Sequence, residues 1–301
     1  MNLLITGAWK TGRVYIEKLE KMGHSIEFIE FETDEIPCDY DWIEGVVCNG
    51  LFLSHSIEKF VNLKYIQLTS AGFDRISMDY VNDHEIEIHN ARGVYSIPMA
   101  EFAVYGVLEL YKQGKKFWKN QKLHKWEKQR DLLELLGKNI CIIGCGSVGT
   151  ECAKRFQGFG CQIVGVDKYA RYDQYFDKML GIENMETILP ESDVVILTIP
   201  LTGDTRHWMN EKKLKLMKDS AVLVNIARGA VVDTEALIQR LPCLGGAVLD
   251  VFEEEPLGEE SVLWDMENVI MTPHNSFIGE RNEERLVSII FSNLYAYKDV
   301  N

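Results

Sequence analysis

A chain of 301 residues is long enough for two domains of ordinary size, and its 46% hydrophobic and 26% charged residues are those of a globular protein. No apolar run approaches the roughly 18 residues that a membrane span needs, so a membrane partner is not expected. A formal net charge of −14 argues against nucleic acid, because that affinity rests on neutralising phosphates.

The same acidity means that a site for anions must bring its own positive charge or converging backbone N–H groups. Seven cysteines are scattered, odd in number and without a CxxC pair, which points to reduced thiols and a cytoplasmic location rather than to disulfides or a metal site. Asn2-Leu3-Leu4-Ile5-Thr6-Gly7 reads at once as a buried strand with no basic segment before it, so secretion is not expected.

Up to about residue 92, short apolar runs alternate with amphipathic stretches. Residues 3–6, 25–29, 45–48, 65–69 and 85–89 predict strands, and 12–22 and 56–61 predict helices. Residues 96–111 predict a long helix, with Pro98 early in it where a missing N–H is tolerated. The basic stretch 112–130, with Phe117, Trp118 and Trp126 interleaved, reads as a solvated connector with anchoring aromatics, the alternative being a nucleic-acid or partner patch. A second, stronger alternation follows: strands at 139–143, 162–166, 193–198, 221–225 and 246–249, with a weaker one at 269–272. Residues 279–298 predict a closing helix. Two α/β units with parallel sheets follow from this order, and a cleft between them is the default ligand site.

The strand at 139–143 runs into Gly144-Cys145-Gly146-Ser147-Val148-Gly149, and an amphipathic helix at 147–157 follows. A bare G-x-G-x-x-G says little, but strand before and helix after are the context a dinucleotide site requires. Gly144 allows the tight turn, Gly146 lets backbone approach a pyrophosphate, and Gly149 lets helix and strand pack closely. The helix start at Ser147 and Val148 then offers unpaired N–H groups to phosphate. Asp167 falls 18 positions after Gly149, at the end of the next strand, where a carboxylate accepts from ribose hydroxyls and repels a 2′-phosphate. NAD is thereby favoured over NADP, with Lys168 and Arg171 nearby as a counterweight. An ordinary strand-end cap is the alternative reading of Asp167.

Three polar residues stand at strand ends in the second half: Arg228, Glu255 and His274. Reducing a 2-keto acid takes a hydride on the carbonyl carbon, a proton on its oxygen and an anchor for the carboxylate. Histidine is a natural proton donor near neutrality, a carboxylate partner orients its ring, and arginine grips a carboxylate with a planar fork. Each also has an ordinary reading, as a structural loop histidine, a helix-start arginine and one member of a solvated acidic run.

These segments resemble the D-isomer-specific 2-hydroxyacid dehydrogenase family, over nearly the whole chain. The matching stretches are Gly137-Lys138, Asp193 to Thr202 through Ile199-Pro200, Asn225-Ile226-Ala227-Arg228-Gly229-Ala230-Val231-Val232-Asp233, Leu249-Asp250-Val251-Phe252 through Glu255-Pro256, and Thr272-Pro273-His274. The resemblance implies a Rossmann dinucleotide-binding domain at 93–275 inserted into a smaller flavodoxin-like α/β substrate domain, 1–92 plus 276–301, with the last helix returning to the first domain. It gives Arg228, Glu255 and His274 the catalytic roles, the Glu–His pair being 19 positions apart. It adds Ile199, Pro200, Thr205, Ile226 and Ala227 to the cofactor site and makes Asp250 the holder of the nicotinamide carboxamide. Ser70, Ala71 and Gly72 become the loop whose N–H groups bind the substrate carboxylate, with Arg228 and His274.

A homodimer is also implied, for which the apolar helix 96–111 is suited. Asn275-Ser276-Phe277 departs from the small or aliphatic residues the family has after the histidine. An NAD-binding regulator on the same fold, of co-repressor type, is the rival reading, and the three chemical residues favour the enzyme. A formate dehydrogenase is disfavoured because that relative carries glutamine where this chain has Glu255.

Overall fold

Short apolar runs separated by helices build two parallel sheets in a computed structural model, which describes residues 1–300. The chain divides into two compact units, Met1–Tyr95 together with the segment from Gly279 onward, and Ser96–Ile278.

In the first unit the strands are β1 (Asn2–Thr6), β2 (Ser25–Ile29), β3 (Gly45–Cys48), β4 (Tyr65–Leu68) and β5 (Glu87–His89), in the order β2-β1-β3-β4-β5 and all parallel. That is the flavodoxin-like order. Alternate residues of β1 and β3 serve opposite faces: Leu4, Val46 and Cys48 join one core, Leu3, Ile5 and Val47 the other. Both faces are covered by helices and turns, which is why these strands read as unbroken apolar runs. Three short helices intervene: α1 (Ile16–Lys21), α2 (Leu51–Ser54) and α3 (Met78–Asp83).

Some expected elements differ. The helix expected at 12–22 begins as a 3-10 turn, Gly12–Tyr15, with Gly12 pressed against Ile5 and Trp9. The one expected at 56–61 is only the 3-10 turn Ile57–Lys59, because burying Ile57 and Phe60 three apart needs no more than one turn. Strand β5 begins two residues late, since Glu85 sits at φ +52°, outside strand conformation.

The second unit opens with α4 (Ser96–Tyr111) and α5 (Gly114–Lys122). The basic connector is thus partly helical: its lysines and glutamine are good helix formers, and Lys115 donates to the carbonyls of Met266 and Val269. Then come β6 (Asn139–Ile143), α6 (Ser147–Gly158), β7 (Gln162–Val166), β8 (Lys178–Leu180), α7 (Met185–Ile188), β9 (Val194–Leu197), α8 (Glu211–Leu216), β10 (Val222–Asn225), α9 (Thr234–Arg240), β11 (Gly246–Leu249) and β12 (Val269–Met271). The sheet order is β12-β11-β10-β9-β6-β7-β8, again all parallel, which is the doubly wound Rossmann arrangement.

Residue alternation splits this core in two. Cys141, Ile143, Val195, Leu197, Leu223 and Leu249 pack on one face, and Ile140, Ile142, Val194, Ile196, Val224 and Val248 on the other. Helix α4 spends its apolar side on the second of these faces, through Ala100, Ala103, Val104, Val107 and Tyr111. Those residues are accounted for inside the unit, while Tyr105 of the same helix stays exposed.

The closing helix, α10 (Asn282–Val300), returns to the first unit, where Leu286, Ile290 and Leu294 pack with Leu3, Ile5 and Trp9. Asn293 donates to Gln67 at 2.8 Å and Arg285 to the Val94 carbonyl at 2.7 Å. It starts later than expected because Gly279 to Asn282 forms a turn, with the Asn282 N–H on the Gly279 carbonyl. Among the described residues, no helix is long and apolar enough to cross a membrane.

Candidate active site

All strands of the second sheet run the same way, so the turns that leave their C-terminal ends gather along one edge. Arg228 follows β10, Glu255 follows β11 and His274 follows β12, three adjacent strands. This edge is where open α/β sheets bind ligands.

Glu255 and His274 meet: Nδ1 of the ring lies 2.9 Å from Oε2 of the carboxylate. The other carboxylate oxygen accepts the Phe252 N–H at 3.0 Å, so Glu255 is oriented by its own loop. Both side chains stay accessible, at 37% and 42% exposure. The His274 backbone is left-handed, φ +50°, a strained state for a residue with a side chain. Asp250 accounts for it. Its carbonyl accepts the His274 N–H at 2.7 Å, and its carboxylate accepts from Thr272 Oγ1 (2.6 Å), Asn275 N (2.7 Å), Ser276 N (3.0 Å) and Ser276 Oγ (2.5 Å). The ring of Phe277 stands edge-on to the imidazole with centroids 6.0 Å apart.

The Arg228 turn is folded by Asn225, buried at the end of β10. Its side-chain amide donates to the Arg228 carbonyl at 3.1 Å and accepts the Ala227 N–H at 3.1 Å. The guanidinium donates to the Ala227 carbonyl at 2.8 Å. Ile226 and Ala227 lie within this turn and are buried.

At the end of β6, Gly144 has φ +94°, and a Cβ there would stand 2.9 Å from the Ile199 nitrogen. Only glycine fits that turn. Thr198 Oγ1 donates to the Gly144 carbonyl at 2.5 Å, which sets Ile199 and Pro200 beside the turn. A Cβ on Gly149 would meet the Gly144 oxygen at 2.1 Å, so α6 closes directly on the strand end, whereas a Cβ on Gly146 would meet nothing within 4 Å. The backbone over Gly146 is open at the start of α6, where the first N–H groups, including those of Ser147 and Val148, have no carbonyl within the helix. An anion fits this cradle.

Asp167 directly follows β7 and reaches the turn after β6, accepting the Cys145 N–H at 2.7 Å, and it also accepts the Tyr169 N–H at 2.9 Å. Burial and the Asp167 charge push the Cys145 thiol up to about 12, so it stays neutral and packs as an apolar group. Thr205 accepts the Thr202 N–H at 2.7 Å and donates to the Pro200 carbonyl at 2.7 Å, closing the loop after β9.

Ser70, Ala71 and Gly72 lie in the first unit, on the loop after β4. Their carbonyls are committed: Ala91 N–H to Ser70 at 2.8 Å, Asn90 Nδ2 to Ala71 at 2.6 Å and Ser70 Oγ to Gly72 at 3.1 Å.

The sequence alone assigns no role to Asn225, Thr272 or Ser276, the residues that fold these turns. The signal for Asn225 was local, since Asn readily bonds backbone two or three residues on. That for Thr272 and Ser276 was absent, because their acceptor is more than 20 residues earlier in the chain.

Residues 104–276 match the family model described as "D-isomer specific 2-hydroxyacid dehydrogenase, NAD binding domain". A glyoxylate reductase from Pyrococcus furiosus is 37% identical over 287 residues, covering 89% of this chain and 84% of that protein. Among solved structures, a D-isomer specific 2-hydroxyacid dehydrogenase family protein from Aeromonas salmonicida superposes with TM-score 0.82 at 26% identity, covering 100% of this chain and 96% of that one. A D-lactate dehydrogenase from Aquifex aeolicus, solved with NAD and lactic acid, gives 0.79 at 26% identity, covering 99% and 96%.

Proposed function

Because the chain belongs to the D-isomer specific 2-hydroxyacid dehydrogenase family, we propose that it interconverts a small 2-keto acid and its D-2-hydroxy acid with NAD(H). It is an enzyme of NAD(P)-linked 2-hydroxyacid oxidoreduction. The substrates proposed are glyoxylate and hydroxypyruvate, in keeping with the glyoxylate reductases among its relatives.

One observation carries this reading: the 2.9 Å contact of His274 Nδ1 with Glu255, at the sheet edge that also bears Arg228. An ionised carboxylate only accepts, so Nδ1 keeps its proton and Nε2 is the nitrogen that gives a proton to the carbonyl oxygen. Arg228 binds the substrate carboxylate and polarises the carbonyl with its planar fork. Ser70, Ala71 and Gly72 are proposed as a carboxylate-binding element through backbone N–H groups. When bound, the reduced dinucleotide supplies the hydride. The Gly144–Gly149 turn would hold its pyrophosphate, Ile199, Pro200, Thr205, Ile226 and Ala227 would line its site, and Asp250 is proposed to hold the nicotinamide carboxamide as well as steadying the His274 turn.

Asp167 favours NAD over NADP, since each of its oxygens retains acceptor capacity for a ribose hydroxyl and its charge repels a 2′-phosphate. The seven free thiols support a reducing, cytoplasmic setting. Exposed Trp118, Leu123 and Trp126 on and after α5 support a homodimer through that surface.

Loss of NADH absorbance across a panel of 2-keto acids, repeated with NADPH, tests this. Turnover of glyoxylate or hydroxypyruvate with NADH is expected. No oxidation with any keto acid would refute the assignment, and equal use of both dinucleotides would remove the role given to Asp167.

A further inference from the structure

Glu253 stands two residues before Glu255 and is tied to the rest of the unit from three sides. Its Oε2 lies 2.6 Å from His207 Nε2, with the Arg206 guanidinium at 3.8 Å, and Oε1 accepts the Thr234 N–H at 2.9 Å. Its side chain is only a quarter exposed. Burial works against the charge, but the bonds from His207 and Thr234 prevail and hold its carboxyl below the usual range.

Arg206 and His207 come from one segment and Thr234 from another. His207 belongs to the loop that follows β9, in left-handed backbone at φ +48°, with its N–H on the Ala230 carbonyl at 2.7 Å. Thr234 opens α9, just past the Arg228 turn. The turn itself lies on the Glu253 peptide: a Cβ at Gly229 would stand 1.8 Å from the Phe252 carbonyl carbon and 2.4 Å from the Glu253 nitrogen. Phe252, pinned in this way, is the residue whose N–H orients Glu255.

From these contacts, and on the function proposed above, we infer that Glu253 paired with His207 is a positioning residue. It clamps the Arg228 turn to the loop carrying Glu255 and so sets the carboxylate against His274. Its effect reaches catalysis through Glu255, and a misplacement of about 1 Å there is worth up to about a hundredfold in rate.

Steady-state kinetics of Glu253→Ala, Glu253→Gln, Glu255→Gln and the double variant Glu253→Ala/Glu255→Gln test the clamp. Glu253→Ala is expected to lower kcat at least about tenfold, while the Kd for NADH stays within about twofold. Glu253→Gln keeps an acceptor for Thr234 and an amide for His207, so it should restore most of the loss. Because the residue acts through Glu255, the double variant should be no slower than Glu255→Gln alone, whereas a merely structural contribution would multiply. If Glu253→Ala does not fold, His207→Ala, alone and with Glu255→Gln, is held to the same criterion. A kcat within twofold of wild type beside an inactive Glu255→Gln, or losses that multiply, would overturn the clamp and leave the function standing. A fully active Glu255→Gln would overturn both.

Discussion

His274 hangs from Asp250 twice over: its own N–H donates to the Asp250 carbonyl at 2.7 Å, and the Asp250 carboxylate holds the two residues that follow. That carboxylate is 1% exposed and takes four donors, so the left-handed turn at His274 exists because Asp250 over-determines it. Removing Ser276 Oγ by Ser276→Ala deletes one of the four, and should cost about 1–3 kcal/mol in a urea titration with kcat reduced only a few-fold. Asp250→Ala strands all four N–H and O–H donors at once and should lose both stability and turnover. An unchanged urea midpoint for Asp250→Ala would mean that the turn is held by something else.

His274→Ala should reduce keto-acid turnover by about 10²–10⁴-fold, the usual worth of a positioned general acid, with the Kd for NADH nearly unchanged by fluorescence titration. Arg228→Lys tests a different part of the site. A point charge cannot reproduce the planar fork, so kcat/KM for the keto acid should fall although the charge is kept. Wild-type kinetic constants in either protein would remove that residue from the mechanism.

The glycines of the turn after β6 make opposite predictions. A Cβ at Gly149 meets the Gly144 carbonyl at 2.1 Å, so Gly149→Ala must move α6 off the strand and should cost at least about 1–3 kcal/mol without any ligand. At Gly146 the same methyl meets nothing within 4 Å, and φ is −79°. Gly146→Ala should therefore leave the Tm of the free protein unchanged and weaken NADH binding alone. Thermal melts with and without NADH separate the two. Unchanged NADH affinity in Gly146→Ala would mean that no pyrophosphate approaches there.

What could be read from the chain follows the physics of burial. Strands β3, β6, β7 and β11 were legible to the residue because each is a compact apolar run, and β2 because Ile26 and Phe28 alternate with Ser25 and Glu27. Edge strand β8, Lys178-Met179-Leu180, was not, since half-exposed edges need no apolar pattern. Helices α8 and α9 escaped as well. Each is under two turns long, too short for periodicity, although Asn210 and Asp233 cap them through the N–H groups of Lys213 and Ala236. At the candidate site, the strand-end positions of Arg228, Glu255 and His274 were legible from their turn signals. The contacts that orient them were not. Asp250 reaches donors 22 to 26 residues away and Glu253 reaches His207 across 46, and nothing local in sequence marks such pairs.

Asp193 should make stability depend on pH at the opposite end of the same sheet. Its carboxylate accepts the Asn139 N–H at 2.9 Å and the Lys218 ammonium at 3.0 Å, joining the starts of β6 and β9 to the segment before β10. Burial alone would raise its pKa, yet the bonds from Asn139 and Lys218 outweigh it and hold the carboxyl below 3.8. A folded-state value below the unfolded one means that the native chain binds this proton less readily. The stabilisation is therefore complete above the ordinary carboxylate range and disappears as pH falls through the lowered folded value. Asp193→Asn should then cost about 1–3 kcal/mol at neutral pH. The gap between the urea midpoints of variant and wild type should begin to narrow as pH falls to about 3.8 and close below the lowered folded value. A gap that stays constant over that range would show that the ionised form of Asp193 contributes nothing to the fold.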